Sequence, residues 1–188
     1  MCQFKSGIVV KDGKEKGGFR LLMSPWTESH SELCQIFKLN DGKMLHFARV
    51  EFSPDKLENA YLPEKYKLKI DEERTPEWFD DEMKENVTAK MASYIKSIIV
   101  SGDVQLLIGG QFIIAPTAKI ALANNMIINV MCGGTVNNIH GGTVNDICGG
   151  TVNNIYGGTI KTVKNIYGLV IKTVSKSVKI IDDKRNIQ

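Results

Sequence analysis

The most regular feature of the chain is a period of eight residues between positions 109 and 164. Seven octads, from GGQFIIAP to GGTIKTVK, align without a gap, and the fourth and seventh positions are apolar in every one. A self-similar period held over this length is the signature of a repeat architecture. Glycine recurs where the chain must turn, and glycine at this frequency disfavours a helix. The octads therefore predict short strands wound into a small β-solenoid, a β-helix-like fold.

The alternation within an octad predicts which side chains face inward. In Thr-Val-Asn the β-branched residue lies between two polar residues that point the other way. A single octad cannot bury its own apolar residues, so coils must stack. We expect two octads per coil, with three as the alternative. The predicted solenoid core is Val136, Ile139, Val144, Ile147, Val152, Ile155, Ile160 and Val163. The predicted outward ladders, which are the candidate binding and assembly residues, are Thr135, Asn137, Thr143, Asn145, Thr151, Asn153 and Thr159.

The first 103 residues have a different pattern. Apolar alternation predicts strands near residues 4–10, 18–23, 45–52 and 66–70. Ser29 to Glu32 fits a capping box before a short helix, and Thr75-Pro76 fits the start of a longer one. The predicted buried stripe of the longer helix is Phe79, Met83, Val87, Met91, Ile95 and Ile98.

The predicted fold class is thus an α+β N-terminal domain followed by a small β-solenoid of eight-residue repeats. We place the α+β globular domain at residues 1–103 and the octapeptide-repeat solenoid at residues 104–175. Three extra residues after Lys164 break the phase of the repeat before a last octad. Residues 176–188 are predicted to be a basic cap or tail, because lysine commonly blunts open sheet edges.

Charge is distributed unevenly along the chain. Residues 104–156 contain only Lys119 and Asp146 as charged side chains, whereas residues 157–188 carry seven cationic against two acidic side chains. The overall charge of +3 is too small to indicate nucleic-acid binding. Exposed strands usually carry charges that prevent edge pairing. A solenoid without them is expected to be covered or to associate, which favours self-assembly or protein binding over catalysis.

The composition also bears on location. The longest apolar run is too short to cross a bilayer, and the first residues lack the apolar core of a signal peptide. We therefore expect a cytoplasmic protein, located in the host cytoplasm if it is encoded by a phage. Its four widely spaced cysteines are expected to be reduced thiols.

Two parts of the sequence together carry a family resemblance. A segment with Lys69 to Glu72 and Pro76 to Trp78 precedes the octad repeats. The chain resembles a loose group of uncharacterised proteins, many from phages and their hosts, with a short N-terminal α+β domain and an octapeptide-repeat tail. The resemblance covers most of the chain. It implies a phage or mobile-element context and assigns no catalytic or ligand-binding residue.

A few residues are candidates for chemistry. Cys2 would become an N-terminal nucleophile if Met1 were removed, with its own amine as base. His30 and His46 could form an acid–base pair. For all three, a structural role is the favoured interpretation, so no catalytic residue is assigned.

The repeats suggest further chemistry. Cys132 and Cys148 occupy the same column, with His140 midway, and two octads per coil would stack the cysteines about 5 Å apart. That spacing would suit a metal or a disulfide. However, the same column accepts unrelated residues elsewhere, so we assign no metal. The ladders could form a flat recognition face, even for ice, although stacked identical coils produce ladders without any ligand.

We expect a non-enzymatic interaction protein of phage or prophage origin. Its solenoid would assemble subunits or present a surface, and its N-terminal domain would contact a protein target, for which the resemblance suggests a host defence factor. No cofactor, membrane or nucleic-acid partner is expected. One alternative is a small enzyme or nucleotide-binding domain oligomerised by the solenoid, and another is a structural phage component. An enzyme should show a concave pocket with convergent polar groups, whereas an interaction protein should show a flat or self-complementary surface.

Overall fold

The structure is a computed structural model of the 188-residue chain. It describes residues 4–11, 18–40, 46–72 and 75–184, except for the side chains of residues 165–167. An α+β region with an antiparallel sheet and two helices precedes a parallel β-solenoid, which confirms the predicted fold class. The chain divides into two compact units, the first formed by Met1–Asp55 and Leu62–Ile95 and the second by Lys56–Tyr61 and Lys96–Gln188. The domain limits at residues 103 and 175 stay predictions.

The first unit is built on a four-stranded antiparallel sheet. The strand order is β2-β1-β3-β4, so β1 and β3 are central and β2 and β4 are the edges. The bounds are β1 Lys5–Lys11, β2 Phe19–Leu22, β3 Phe47–Pro54 and β4 Tyr66–Ile70. The predicted start of the third strand at Leu45 lies outside the described residues.

The two helices follow their capping residues. Helix α1, His30–Ile36, begins after Ser29, whose side chain accepts a hydrogen bond from the Glu32 amide at 3.4 Å. Helix α2 spans Asp81–Ile98. The prediction that it begins at Thr75-Pro76 is wrong. Pro76 starts a separate turn, which is closed by a hydrogen bond from the Phe79 amide to the Pro76 carbonyl. The Asp80 carboxylate caps the helix by accepting a hydrogen bond from the Met83 amide at 2.9 Å.

The second unit contains the solenoid strands. These are β5 Ile99–Val100, β6 Asp103–Ile108, β7 Gln111–Ile114, β8 Lys119–Met131, β9 Thr135–Val174 and β10 Lys179–Asp183. The parallel register places Lys119 beside Thr135 and Ile128 beside Val144, each sixteen residues apart. Each coil therefore contains two octads, and alternate octads lie on opposite sides of the coil.

The end of the solenoid departs from this register. The Thr151 amide donates to the Gly134 carbonyl, seventeen residues earlier. The equivalent bonds join Ser175 to Ile155, twenty residues apart, and Lys184 to Val163, twenty-one apart. Three extra residues therefore enter before Ser175, as predicted, and a fourth enters before β10. Strand β10 lies within the segment predicted to be a cap and pairs in parallel with β9.

The interior of the solenoid is a continuous apolar ladder. The eight residues predicted for the core are each at most 2% exposed and belong to one hydrophobic cluster. Stacking brings side chains of the same column into contact along the solenoid axis, so every added coil extends the same core. The energetic unit of the fold is thus the coil and its contact with the next coil.

Candidate interaction surfaces

Alternate octads give the solenoid two outer faces. We call the face formed by β6, residues 119–124, 135–140 and 151–156 the open face. Thr135, Asn137, Thr151 and Asn153 lie on it, whereas Thr143, Asn145 and Thr159 lie on the opposite face. The predicted threonine and asparagine ladders are therefore each divided between two faces, because one coil contains two octads.

Amide ladders connect the coils of the open face. Asn153 donates to the Asn137 side-chain oxygen at 2.7 Å, and Asn154 donates to that of Asn138 at 3.1 Å. Asn138 in turn donates to the Ala121 carbonyl at 3.2 Å. Such ladders arise when identical side chains stack one coil apart. These asparagines therefore connect neighbouring coils through their side-chain amides.

Exposed apolar side chains lie along one margin of the open face. Ile108 is beside Asn124, which is beside His140, and the His140 and Tyr156 rings lie 4.6 Å apart between centroids. Ile108 is 63% exposed and Tyr156 is 48% exposed. Exposed large apolar and aromatic groups that lie close together are typical of protein contact sites.

Charge is nearly absent from this face. Lys119 is the one charged residue that residues 119–156 contribute to it, and it lies beside Asp103 at the start of the adjacent coil. Asp146 is on the opposite face, where it forms an ion pair with Lys164 at 3.4 Å. Binding of a partner to the open face would thus desolvate few charged side chains of this protein.

The opposite face is more enclosed. Residues 56–61 belong to the same unit and run close to it, since the Cys132 thiol lies 3.7 Å from the Leu57 carbonyl oxygen. The Asn129 side-chain oxygen accepts hydrogen bonds from Gln111 at 3.0 Å and from Asn145 at 3.3 Å. This face is therefore partly covered by the chain itself and is the poorer candidate for a partner.

The two solenoid cysteines are buried free thiols. Burial raises the pKa of Cys132 to about 11 and that of Cys148 to about 12. A metal-binding or nucleophilic cysteine needs the opposite shift, because the thiolate is the reactive form. His140 lies on the other face, with its ring in tilted contact with that of Tyr156. The structure thus separates His140 from the two cysteines of the possible metal site, which lie one coil apart on the same side.

A buried ion pair in the first unit was not predicted from the sequence. The Lys5 ammonium is enclosed, and lies 2.9 Å from the Glu28 carboxylate and 5.2 Å from the Tyr94 ring centre. Glu28 also accepts the Ser6 amide at 2.6 Å. Desolvation lowers the pKa of Lys5 against the opposing influence of Glu28, and burial raises that of Tyr94 to about 12. The one signal in the sequence was a lysine shortly before the apolar part of a central strand.

His30 makes contacts that hold α1 on the sheet. Its Nδ1 lies 3.0 Å from an Asp71 carboxylate oxygen, and its Nε2 lies 3.2 Å from the Val50 carbonyl oxygen. Ligand atoms of His30, Glu51 and Asp71 lie within 4.8 Å of one another, a spacing that a divalent cation could bridge. Within the described part of the chain, His46 is not a member of this group. It is exposed immediately before β3. Cys2 lies outside the described residues.

One groove runs along the edge strand of the first unit. Its volume is about 770 Å³, and it lies between β4 and α2. The lining is mainly apolar or small, comprising Tyr66, Leu68, Ile70, Thr88, Ala89 and Ala92, with Lys67, Lys84 and Glu85 also contributing. The groove does not gather the convergent polar groups that a catalytic or nucleotide site requires.

Within the described part of the chain, no helix is long and apolar enough to span a membrane. No known family matches the sequence, and neither a curated protein nor a solved structure shows significant similarity to the chain. The surfaces described above are therefore the evidence that bears on function.

Proposed function

We propose that this chain is a non-enzymatic interaction protein that binds a protein target through the open face of its solenoid and self-assembles through the same module. The resemblance to phage and host proteins motivates a phage or prophage origin and a host defence factor as the target class. A host cytoplasmic location belongs to the same proposal.

The observation that carries the proposal is the combination of hydrogen-bonded asparagine ladders, near-neutrality and exposed apolar groups on the open face. The asparagine ladders fix the surface before binding, so little conformational entropy remains to be lost there. Ile108 and Tyr156 are the exposed anchors, and interface hot spots commonly contain aromatic groups. A polar but uncharged surrounding surface is suited to a protein partner.

The proposal is tested with a double charge substitution on the open face, Ile108→Lys with Tyr156→Lys. Both side chains are exposed, so the fold should persist while two desolvated charges oppose binding. Tagged full-length chain is used for affinity purification from phage-infected cells, with quantitative mass spectrometry. We expect the captured target to fall about tenfold or more relative to the unsubstituted chain.

The matched control is Trp26→Lys, which changes an equally exposed apolar residue of the first unit. This variant should capture the target normally. Equal capture by the open-face variant and the control would refute the assigned binding surface. Failure of the unsubstituted chain to capture any protein above the level of the double variant would refute the binding function itself.

The enzyme alternative has less support from the geometry. The groove between β4 and α2 is lined mainly by apolar and small residues. The Lys5–Glu28 pair is too enclosed to meet a substrate, because the Lys5 side chain is 0% exposed. These observations favour a binding protein over a catalyst.

A further inference from the structure

Strand β4 is an outer strand of the antiparallel sheet in the first unit, and it pairs with β3 along one side from Tyr66 to Ile70. The order of the sheet ends at β4, so no other described strand lies beyond it. An edge strand of this kind offers a row of backbone donors and acceptors to an added strand. The site lies within the first unit and is independent of the open face of the solenoid.

The hydrogen bonds to β3 show which backbone groups of β4 point toward the open edge. The Asp71 amide donates to the Arg49 carbonyl at 2.9 Å, so this residue faces β3. In an antiparallel pair, the residues that bond to the neighbouring strand alternate with residues that do not. Residues 67 and 69 therefore also face β3, whereas the amide and carbonyl groups of Leu68 and Ile70 point away from it.

The groove between β4 and α2 runs beside this edge. Its volume is about 770 Å³, and its lining includes Leu68 and Ile70 of the strand and Ala89 and Ala92 of the helix. The small alanine side chains leave space between the helix and the strand. A groove of this size and mainly apolar lining is suited to enclosing a few apolar side chains.

The other face of β4 is cationic. Lys67 and Lys69 are exposed, and neither takes part in an ion pair within the described part of the chain. Successive side chains of an added strand would point alternately to the side of the groove and to the side of these lysines. Apolar residues suit the first set of positions, and acidic residues suit the second, because opposite charges on neighbouring strands attract.

We propose that the groove between β4 and α2 binds an extended segment of a partner protein in which apolar and acidic residues alternate. The segment adds a fifth strand to the sheet by bonding to the backbone of Leu68 and Ile70. Its apolar side chains enter the groove beside α2, and its acidic side chains meet Lys67 and Lys69. In such strand addition the backbone bonds supply affinity, and the alternate side chains supply specificity.

A second copy of this chain fits the edge poorly. Strand β4 reads Tyr-Lys-Leu-Lys-Ile. Antiparallel pairing of two copies about Leu68 would place Lys67 of each copy opposite Lys69 of the other. Like charges directly opposite each other are destabilising. The charge pattern of the edge therefore disfavours self-pairing and favours an acidic partner.

The test uses the full-length chain and a fluorescently labelled peptide, Glu-Val-Glu-Val-Glu-Val-Glu, capped at both ends. Fluorescence anisotropy measures its Kd, and amide NMR spectra of isotope-labelled chain locate its site. We expect the amides of Leu68 and Ile70 to become protected from hydrogen exchange, because they donate to the added strand. A matched peptide with lysine in place of each glutamate should bind at least about tenfold more weakly.

Two sets of substitutions test the groove and the charges separately. Ala89→Leu fills the groove from an exposed helical position and should weaken binding of the acidic peptide at least about tenfold. Its matched control is Asn86→Leu, which changes an exposed residue of α2 outside the groove and should bind normally. Lys67→Glu with Lys69→Glu should lose the acidic peptide and gain the lysine peptide. A gain of this kind would not result from misfolding.

The inference is overturned if the acidic peptide does not bind at millimolar concentration, if both peptides bind alike, or if the groove-filling variant binds as well as its control. It is also overturned if concentrated chain protects the amides of Leu68 and Ile70 without peptide, because a second copy would then occupy the edge. The variant Ile108→Lys with Tyr156→Lys should bind the peptide normally. Peptide binding without target capture removes only the open-face function, and capture without peptide binding removes only this site.

Discussion

Gly142 offers a sharp test of the coil geometry. Its φ is +87°, and it lies beside Met126 of the preceding coil. A Cβ added at this position would overlap the Met126 carbonyl oxygen and lie 2.6 Å from the Met126 nitrogen. The adjacent Gly141 has nearly the same φ, +86°, but an added Cβ there would meet no atom within 4 Å. Comparing alanine substitutions at the two glycines therefore distinguishes the cost of backbone strain from the cost of close approach between coils.

The magnitudes follow from these two terms. Placing alanine at positive φ costs about 1–2 kcal/mol, and this applies to both Gly141→Ala and Gly142→Ala. Gly142→Ala must in addition displace one coil from the next, which adds about 1–3 kcal/mol of local strain and weakens backbone hydrogen bonds worth about 1 kcal/mol each. We expect Gly142→Ala to be less stable than Gly141→Ala by about 2–4 kcal/mol.

Thermal unfolding followed by circular dichroism measures this difference. For a chain of this size, 1 kcal/mol shifts Tm by roughly 2–4 °C, so the two variants should differ by about 5–15 °C. Denaturant midpoints provide a second measurement if the solenoid unfolds in more than one step. Equal losses of Tm would show that the coils are not packed as closely at Gly142 as described.

Two further predictions concern buried ionisable groups. Glu28→Gln should destabilise the first unit by about 3–5 kcal/mol because it leaves Lys5 buried without its anion. The double variant with Lys5→Met should recover more than half of that loss, measured from denaturant midpoints. A loss under about 1 kcal/mol in the single variant would contradict the burial of the ion pair. The raised pKa values of Cys132 and Cys148, about 11 and 12 against an ordinary value of 9, mean that the unfolded chain releases these protons first as pH rises. Their contribution to stability is therefore fully present below pH 9 and is lost as pH rises from 9 through 12, and replacing both cysteines with alanine should flatten this decline in unfolding midpoints.

The solenoid could be predicted from the sequence because its information is local and repeated. The columns containing Val136 and Ile139 define an inward position in every octad, and the side-chain alternation of a strand converts that column into a core. The division of the threonines between two faces required the number of octads per coil. The number of octads per coil depends on how the coils stack, and the sequence of a single octad carries no information about stacking.

The first unit was less predictable for a different reason. A lysine in a strand is usually assigned to the solvent side, and the burial of Lys5 depends on Glu28, twenty-three residues away. The start of α2 was misplaced because Thr75-Pro76 and Asp80 are both good helix starts, and the turn closed by Phe79 decides between them. Non-local partners and competing caps thus limited the prediction of this unit.

The sixteen-residue coil has a consequence for how such a gene can lengthen. Duplication of one octad would move every later octad to the other side of the stack, so open-face residues such as Tyr156 would exchange places with the enclosed cysteines. Duplication of two octads would add one full coil and leave each residue downstream on its original side. Tandem duplication in units of forty-eight base pairs therefore preserves both surfaces of the solenoid. Duplication in units of twenty-four base pairs exchanges the two surfaces for every coil that follows.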